Sequence, residues 1–444
     1  MDSRKQEPYE TSTPPHRDGD SLPTHNGTGT LKDIKQVRPK GESGRSGFHP
    51  WHFVRICFNS SCTLSKGVNI LWPFVPVAFA LAGFSMQPYL WNFIIPYIAM
   101  VPAANLLGFA GQQLARKVPH VLGVFLETTF GSVVEIIVFM VLIKEGDAGV
   151  PIIKAAILGS ILANLLLCLG LCFFAGGLRR DEQEFHEAVS EVGSNLMLVA
   201  GMGLIVPAAF SAALNNTNMA TEEAARTVVQ ISRNCAIVLF IAYCFFTWYQ
   251  TRSHKGLYED LLMEDEARDA DGHRDMVKPK LTLVESLIAV AFALTMVSFM
   301  AIFLVHRIEY IVHRGVQDAF LGLILVPLVE KAAEHITAVD EAWDNQMNFA
   351  LSHVLGASIQ TALFNAPLVV FVGWGLHINM DLNFNQFDCI VLILAILVVG
   401  GFLRDKKSNY LEGALCVLVY VIIAISAFFF PNLGEGQPGE VVGH

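Results

Sequence analysis

Charged residues are scarce along most of this chain of 444 residues. They make up 16% of the sequence, whereas an ordinary soluble domain carries about 25%. They are also clustered, because residues 1–50 hold 15 of them and residues 250–282 hold 14. The remaining stretches carry too few charges to cover the surface of a soluble protein. This distribution excludes a soluble enzyme.

Several common signatures are also missing. The eight cysteines include no CxxC pair, which disfavours a zinc site or a disulfide framework and favours small buried hydrophobes. No basic stripe with interleaved aromatic residues is present, so no nucleic-acid partner is expected. No HExxH pair and no nucleophile motif are present, which disfavours an intramembrane enzyme. No signal peptide is present, because residues 1–50 are polar, and residues 1–65 are predicted to form a disordered cytosolic tail.

The chain is instead rich in long apolar runs. Its mean hydropathy is +0.47 and 53% of its residues are hydrophobic. Continuous runs of this length predict membrane-spanning helices, because the strands of an outer-membrane barrel alternate apolar and polar residues. The predicted fold class is therefore an all-α polytopic membrane protein with about eleven crossings. These are residues 68–86, 89–112, 119–143, 151–176, 192–214, 227–249, 283–305, 316–341, 347–376, 387–403 and 410–430.

Loop charges predict the orientation of these crossings. With a cytosolic N-terminus, the cytosolic loops hold 13 Lys and Arg residues and the opposite loops hold four, in agreement with the positive-inside rule. The predicted organisation has five parts. They are a tail (1–65), a first crossing plus five more (66–249), a charged cytosolic linker (250–282), five crossings (283–430) and a luminal tail (431–444). The linker is interpreted mainly as a solvated connector, with a regulatory or ion-attracting role as the alternative.

An internal repeat connects the two halves. Glu135 in FGSVVEII is followed 24 residues later by Gly159 in GSILANLLL, and Glu334 in VEKAAEHI is followed 22 residues later by Gly356 in GASIQTALF. Each half contains five crossings, an odd number, so the second copy is inverted relative to the first. This five-plus-five inverted repeat, with one extra N-terminal helix, is typical of secondary transporters with a midplane site.

Acidic residues inside two of these crossings are the main functional candidates. Glu135 and Glu334 occupy the same place in the repeat, and each buried charge costs from ~3 kcal/mol upwards. They predict a cation- and proton-binding pair, because carboxylates bind hard cations such as Ca²⁺ and are also neutralised by protons. Amide oxygens from Asn164 and Gln360 are candidate further ligands, although both amides are equally suited to helix-to-helix hydrogen bonds. Ser160 and Ser358 stand behind them as auxiliary residues.

Other ionisable residues lie close to this pair in the sequence. Glu127 and Glu330 are interpreted as way-stations on opposite sides of the centre, with Glu341 near the cytosolic mouth. The alternative for each is simple pairing with a base. Lys331 either pairs with an acid or tunes ion selectivity, and His335 is a further auxiliary residue. His335 directly follows Glu334 in a helix, so the two side chains point to different faces.

These stretches carry a resemblance over residues 68–430. The sequences ETTFGSVVEII, GSILANLLLCLG, FLGLILVPLVEKAAEHITAV and LGASIQTALFNAPLVVFVGW, with the acidic linker, resemble the cation/proton exchanger branch of the Ca²⁺/cation antiporter superfamily. The resemblance implies an eleven-helix fold and Ca²⁺ uptake into a vacuole-like store in exchange for H⁺. It also implies Glu135 and Glu334 as the central acids, frequent vacuolar or other endomembrane localisation, and a common tendency to form homo-oligomers.

The chain departs from the family pattern at four positions beside the central acids. Glu127 and Ser132 stand where the family commonly has asparagines, and Glu330 and Lys331 replace the usual glycine and asparagine. A fixed lysine favours Na⁺ or K⁺ over Ca²⁺ unless Glu330 neutralises it. The leading hypothesis is a Ca²⁺/H⁺ antiporter, and the alternative is a monovalent cation/H⁺ exchanger. A channel is disfavoured by the inverted repeats. The expected partners are membrane lipid and the transported ions, and no cofactor is expected.

Overall fold

The computed structural model describes residues 47–84, 90–118, 120–214, 221–269 and 279–430. Helices dominate this part of the chain, as the apolar runs predict. The first half ends at residue 248, and a π-helical segment, Ala163–Cys168, joins its sixth and seventh helices. Its helices are α1 (Pro50–Asn59), α2 (Thr63–Val68), α3 (Phe74–Phe84), α4 (Trp91–Ala115), α5 (His120–Lys144), α6 (Val150–Leu162), α7 (Leu169–Arg179), α8 (Glu187–Leu214) and α9 (Thr221–Trp248).

The second half contains further π-helical segments, at Leu321–Leu325 and Thr361–Asn365. A short antiparallel ladder of two strands, β1 (Gln183–Glu184) and β2 (Lys407–Ser408), links loops of the two halves and is an addition to the predicted all-α fold. The remaining helices are α10 (Lys255–Arg268), α11 (Leu283–Val305), α12 (Ile308–His313), α13 (Asp318–Phe320), α14 (Val326–Glu330), α15 (Ala332–Trp343), α16 (Met347–Gln360), α17 (Ala366–Gly375), α18 (Gln386–Phe402) and α19 (Tyr410–Phe428).

The described residues include nine helical stretches long and apolar enough to cross a membrane. The other two predicted crossings, 119–143 and 316–341, are also helical, although the second is divided at Lys331 between α14 and α15. The polytopic helical fold is therefore confirmed. The exact number of crossings and the domain boundaries stay predictions, and the predicted luminal tail at 431–444 lies outside the described residues.

The prediction of a disordered tail up to residue 65 is wrong for its last part. Residues 50–59 form α1, and Ile56 on this helix is buried. The chain just before α1 is bound to the start of α11, because Thr282 Oγ1 donates to Gly47 O over 2.7 Å and His49 N donates to Glu285 Oε1 over 3.1 Å. These hydrogen bonds and the buried Ile56 supply the contacts that a freely solvated tail lacks.

The acidic linker likewise contains a docked helix rather than only a solvated connector. Asp265 of α10 is fully buried and accepts hydrogen bonds from Asn348 Nδ2 (2.8 Å) and Phe349 N (3.0 Å), in the first turn of α16. The N-cap residue of α16, Gln346, makes no side-chain capping bond itself. Burial raises the pKa of the Asp265 carboxyl above its ordinary value. Asp265 thus caps, from the linker, a helix of the second repeat.

Removing this cap should destabilise the protein. We expect Asp265→Ala to lower the free energy of unfolding by about 0.5–2 kcal/mol, the usual effect of losing a helix N-cap. Thermal unfolding of the purified protein in detergent measures the change. Asp260→Ala is the matched control, since Asp260 lies on the same helix and is exposed. Equal melting temperatures for the two variants would contradict the capping role.

The two halves pack directly against each other at a close helix crossing. A proline at position 327 has no backbone N–H, so it cannot bond the carbonyl of Leu323 four residues earlier. This carbonyl lies against Gly159 of α6, where a Cβ would come within 2.3 Å of the oxygen. Only glycine leaves room for this approach. The contact brings α6 of the first half beside the segment that leads to α14.

Substitution of this glycine should therefore be costly. We expect Gly159→Ala to destabilise the protein by at least about 1–3 kcal/mol, because the methyl group forces two backbones apart. Gly356 is the matched control: it is the repeat counterpart, and a Cβ there meets nothing within 4 Å. Melting temperatures in detergent compare the two alanine variants. A similar loss for Gly356→Ala would show that the effect is general helix strain rather than this crossing.

Candidate cation and proton site

Glu135 is completely buried at the centre of the protein. It lies on α5 and receives hydrogen bonds from the second half of the chain. Thr361 Oγ1 donates to both carboxylate oxygens, over 3.2 Å to Oε1 and 3.0 Å to Oε2. Asn365 Nδ2 donates to Oε2 over 2.9 Å. These charge-assisted bonds fix the carboxylate at the interface between the two repeats.

Lys331 joins the two central acids. Its Nζ lies 2.9 Å from Glu135 Oε2 and 3.4 Å from Glu334 Oε2, and the lysine side chain is fully buried. Its backbone lies at the division between α14 and α15, with φ −93° and ψ −2°. The pairing of Lys331 with an acid, one of the two interpretations of its sequence position, is present here. An ammonium group therefore lies between the two carboxylates that the repeat predicts as a cation site.

Glu334 is the more accessible of the two acids. Its side chain is 23% exposed, whereas that of Glu135 is 0% exposed. The carboxylate lies against Gly131 of α5, because a Cβ there would be 3.3 Å from Glu334 Oε1. Gly131 thus leaves space for the acid of the opposite repeat. The two acids come from equivalent positions yet differ in access, as expected of one state of an alternating-access protein.

Asn164 is at the site, but its oxygen has a protein partner. His335 Nε2 lies 3.0 Å from Asn164 Oδ1, and both residues are buried. This is the helix-to-helix hydrogen bond considered as the alternative for the predicted amide ligands. The contact links α15 to the π-helical segment 163–168. His335 therefore positions Asn164, while the adjacent Glu334 contacts Lys331.

In the second repeat, Thr361 and Asn365 contact Glu135, whereas Gln360 is the predicted ligand. Gln360 is buried, but among the described residues the hydrogen bonds from this helix to Glu135 come from Thr361 and Asn365 and not from Gln360. An ungapped alignment from Gly159 and Gly356 places Asn164 opposite Thr361 rather than Gln360. That register would have identified Thr361, and Asn365 lies one turn later on the same face. Ser358 is satisfied within its own helix, since its Oγ donates to Val354 O.

Several buried polar atoms around the acids have no hydrogen-bond partner among the described residues. Both carboxylate oxygens of Glu330 are in this group, and the residue is only 2% exposed. Buried polar atoms normally have partners, so unpaired groups here indicate room for an ion, a proton or water. The side chain of Glu127 lies outside the described residues. The other atoms without a hydrogen-bond partner are Ser132 Oγ, Ser160 Oγ, Asn164 Nδ2, Asn365 Oδ1 and Glu334 Oε2, the last of which has the ion-pair contact with Lys331.

The backbone is irregular at the same depth in both repeats. The π-helical segments Ala163–Cys168 and Thr361–Asn365 occupy matching positions after Gly159 and Gly356. Segments of this kind are rare and occur frequently at functional sites. The segment in the second half aims Thr361 and Asn365 at Glu135. Sequence periodicity does not reveal such local widening of a helix.

The sequence model of the sodium/calcium exchanger protein family matches this chain over residues 88–252 and 285–429, and these two stretches together cover more than half of the chain. The two matched stretches correspond to the two predicted repeats, and the predicted linker lies largely between them. The chain belongs to the sodium/calcium exchanger protein family.

Relatives with assigned names cover most of the chain. It is 33% identical to vacuolar cation/proton exchanger 2 of Arabidopsis thaliana, over 81% of this chain and 80% of the relative. It is 31% identical to the vacuolar calcium ion transporter of Schizosaccharomyces pombe, over 84% of this chain and 87% of the relative. The structure of native YfkE matches with a TM-score of 0.67 at 26% identity, over 82% of this chain and all of that one. The predicted family resemblance is thus confirmed.

Proposed function

We propose that this multi-pass membrane protein is a secondary active antiporter that moves Ca²⁺ from the cytosol into an acidic internal compartment in exchange for H⁺. The observation that carries the proposal is the pair of acids, Glu135 and Glu334, which come from equivalent repeat positions and already share one cationic group. The names of the relatives, which include Ca²⁺/H⁺ antiporters of Synechocystis and Aphanothece halophytica, support the choice of ions.

Exchange follows from competition for one pair of carboxylates. Protons or a cation neutralise the pair, and an uncompensated charge is costly to carry through a low-dielectric interior. The site therefore changes its exposure only when it is occupied. Alternating exposure to the two sides of the membrane then couples cation movement in one direction to proton movement in the other. Glu334, with its partly exposed side chain, is the acid through which ions enter in the present state.

Monovalent cation/H⁺ exchange is the second candidate, and one observation favours it. Lys331 places a positive charge directly between the two carboxylates. One charge added to the site opposes a divalent ion twice as strongly as a monovalent ion. A site that keeps Lys331 in place therefore favours Na⁺ or K⁺.

The proposed location is a vacuolar or other endomembrane, with the N-terminus in the cytosol. The names of the vacuolar relatives and the excess of Lys and Arg in one set of loops support this placement. The acidic interior of such a compartment would supply the proton gradient that drives uptake.

Flux into proteoliposomes under an imposed pH gradient tests the proposal. Ca²⁺ uptake coupled to H⁺ exit is the expected result, and a competition series with Mn²⁺, Na⁺ and K⁺ separates the two candidate functions. Uptake of Na⁺ or K⁺ that Ca²⁺ does not inhibit would favour the monovalent exchanger. A conductance that does not depend on the pH gradient would overturn both and indicate a channel.

A further inference from the structure

Glu330 and Lys331 are neighbours in the chain, but they differ in their polar partners. Lys331 has two carboxylate partners, Glu135 and Glu334. Glu330 is buried to the same degree, yet neither of its oxygens has a hydrogen-bond partner among the described residues. A buried carboxylate without compensation is very costly as an anion, so Glu330 is the neutral acid in this state. The site therefore contains three acids and a single lysine, and the lysine contacts only Glu135 and Glu334.

Among the described residues, four ionisable side chains act on Glu330 electrostatically. Tyr97 of α4 is in electrostatic range, but its hydroxyl donates to Leu325 O over 2.8 Å. Glu135 of α5 and Glu334 of α15 also act on Glu330, and Lys331 is the nearby base. Lys154 of α6 is held elsewhere by Asp381, 3.0 Å away. Of these groups, Lys331 is the one that can compensate an ionised Glu330.

We propose that Lys331 is a tethered counter-cation that moves from the Glu135–Glu334 pair to Glu330 when the transported cation binds. This proposal rests on the proposed antiport function and adds a regulating element to its binding site. In the structure the ammonium lies between the central acids, where a bound cation would also have to lie. The arriving cation takes that space, and the ammonium, on its flexible four-carbon stem, moves toward the neighbouring carboxylate.

The movement has a defined charge balance. Glu330 gives up its proton to solvent as the ammonium arrives, because the new ion pair compensates its charge. Binding of one cation therefore releases one proton from a residue that never touches the cation. The division between α14 and α15 lies at Lys331, so the lysine is not constrained by a continuous helix on both sides.

A double-mutant cycle on cation affinity tests this coupling. Binding of Ca²⁺ and of Na⁺ to purified protein is measured by calorimetry for the unmodified protein, Lys331→Met, Glu330→Gln and the double variant. Lys331→Met removes the competitor and should raise affinity, while Glu330→Gln removes the destination of the ammonium and should lower it. Each change should be roughly threefold to a hundredfold, the range found for directly coupled residues. In the double variant, Glu330→Gln should have no further effect.

Glutamine resembles the neutral acid, so Glu330→Gln should preserve the cation-free structure. Additive effects in the cycle would overturn the proposal, as would an unchanged affinity of Glu330→Gln. Failure of the proposed function is a separate result, because the unmodified protein would then show no proton-coupled flux in proteoliposomes. Coupled flux with an additive cycle would reject only the moving lysine.

Proton counting gives a second, independent readout on the unmodified protein. Protons released per cation bound are measured in weakly buffered solution, together with the infrared band of protonated carboxylic acids. The unmodified protein should release one proton more than Glu330→Gln or Lys331→Met. Its infrared spectrum should contain a carboxylic-acid band that Glu330→Gln lacks, and this band should disappear when the unmodified protein binds the cation. Glu222→Gln, a change at an exposed surface ion pair, should behave as the unmodified protein. Equal proton counts, or no such band, would overturn the proposal.

Discussion

Replacement of either central acid by glutamine, Glu135→Gln or Glu334→Gln, is expected to abolish cation/proton exchange while the protein remains folded and inserted. The amide keeps the shape of the side chain but neither titrates nor neutralises a cation. Each variant also leaves Lys331 one carboxylate, Glu334 at 3.4 Å or Glu135 at 2.9 Å. The buried ammonium is therefore not left without a partner, which limits the structural damage.

Proteoliposome flux measures the loss, and gel filtration with a thermal melt checks the fold. The control is Glu222→Gln, which removes a carboxylate from an exposed ion pair with Arg226 and should keep full activity. Loss of folded protein in both acid variants would show a structural role. Retention of more than a small fraction of the flux in a folded variant of either acid would refute the assignment of the central pair.

The fold could be predicted from the sequence because its main signals are strong. Continuous apolar runs have no other stable solution in a membrane than a helix. The repeated motifs around Glu135 and Glu334 then place two acids in equivalent positions. The inverted arrangement follows from the odd number of crossings in each half. These features depend on composition and spacing alone.

The partners within the site could not be predicted in the same way. The contact of Lys331 with Glu135 joins residues 196 positions apart on helices of different repeats. Its formation depends on the division of the helix at Lys331, which apolar periodicity does not show. The amide oxygen of Gln360 makes it a candidate ligand on residue type alone, although the repeat register favours Thr361. Glu330 has an acidic side chain like Glu135 and Glu334. Only the structure shows that its carboxylate has no hydrogen-bond partner among the described residues.

The polar segments show a second limit of sequence patterns. A charge run such as 250–282 predicts a solvated connector on composition, yet Asp265 within it is fully buried. Its two hydrogen bonds go to a helix 83 residues further along the chain. One buried acid among many exposed ones leaves the average composition unchanged. Docking of such a helix is therefore decided by individual hydrogen bonds that composition does not report.

Replacement of the central lysine, Lys331→Asn, is expected to shift selectivity toward Ca²⁺ relative to Na⁺ or K⁺. The substitution removes a positive charge from between the acids. At an effective dielectric of 20, a unit charge ~6 Å away destabilises a divalent ion by on the order of 5 kcal/mol and a monovalent ion by half as much. Movement of the ammonium toward Glu330 reduces this difference, so we expect a change in the Ca²⁺/Na⁺ ratio of roughly tenfold or more.

The ratio is measured by competition of Ca²⁺, Na⁺ and K⁺ for flux in proteoliposomes. Lys66→Asn is the matched control, because it removes an exposed lysine on α2. A general effect of net charge would change the Ca²⁺/Na⁺ ratio equally in Lys66→Asn and Lys331→Asn, whereas a local effect would change it only in Lys331→Asn. An unchanged ratio in Lys331→Asn would mean that the ammonium does not act on the bound cation. The alternative of monovalent exchange would then lose the observation that favours it.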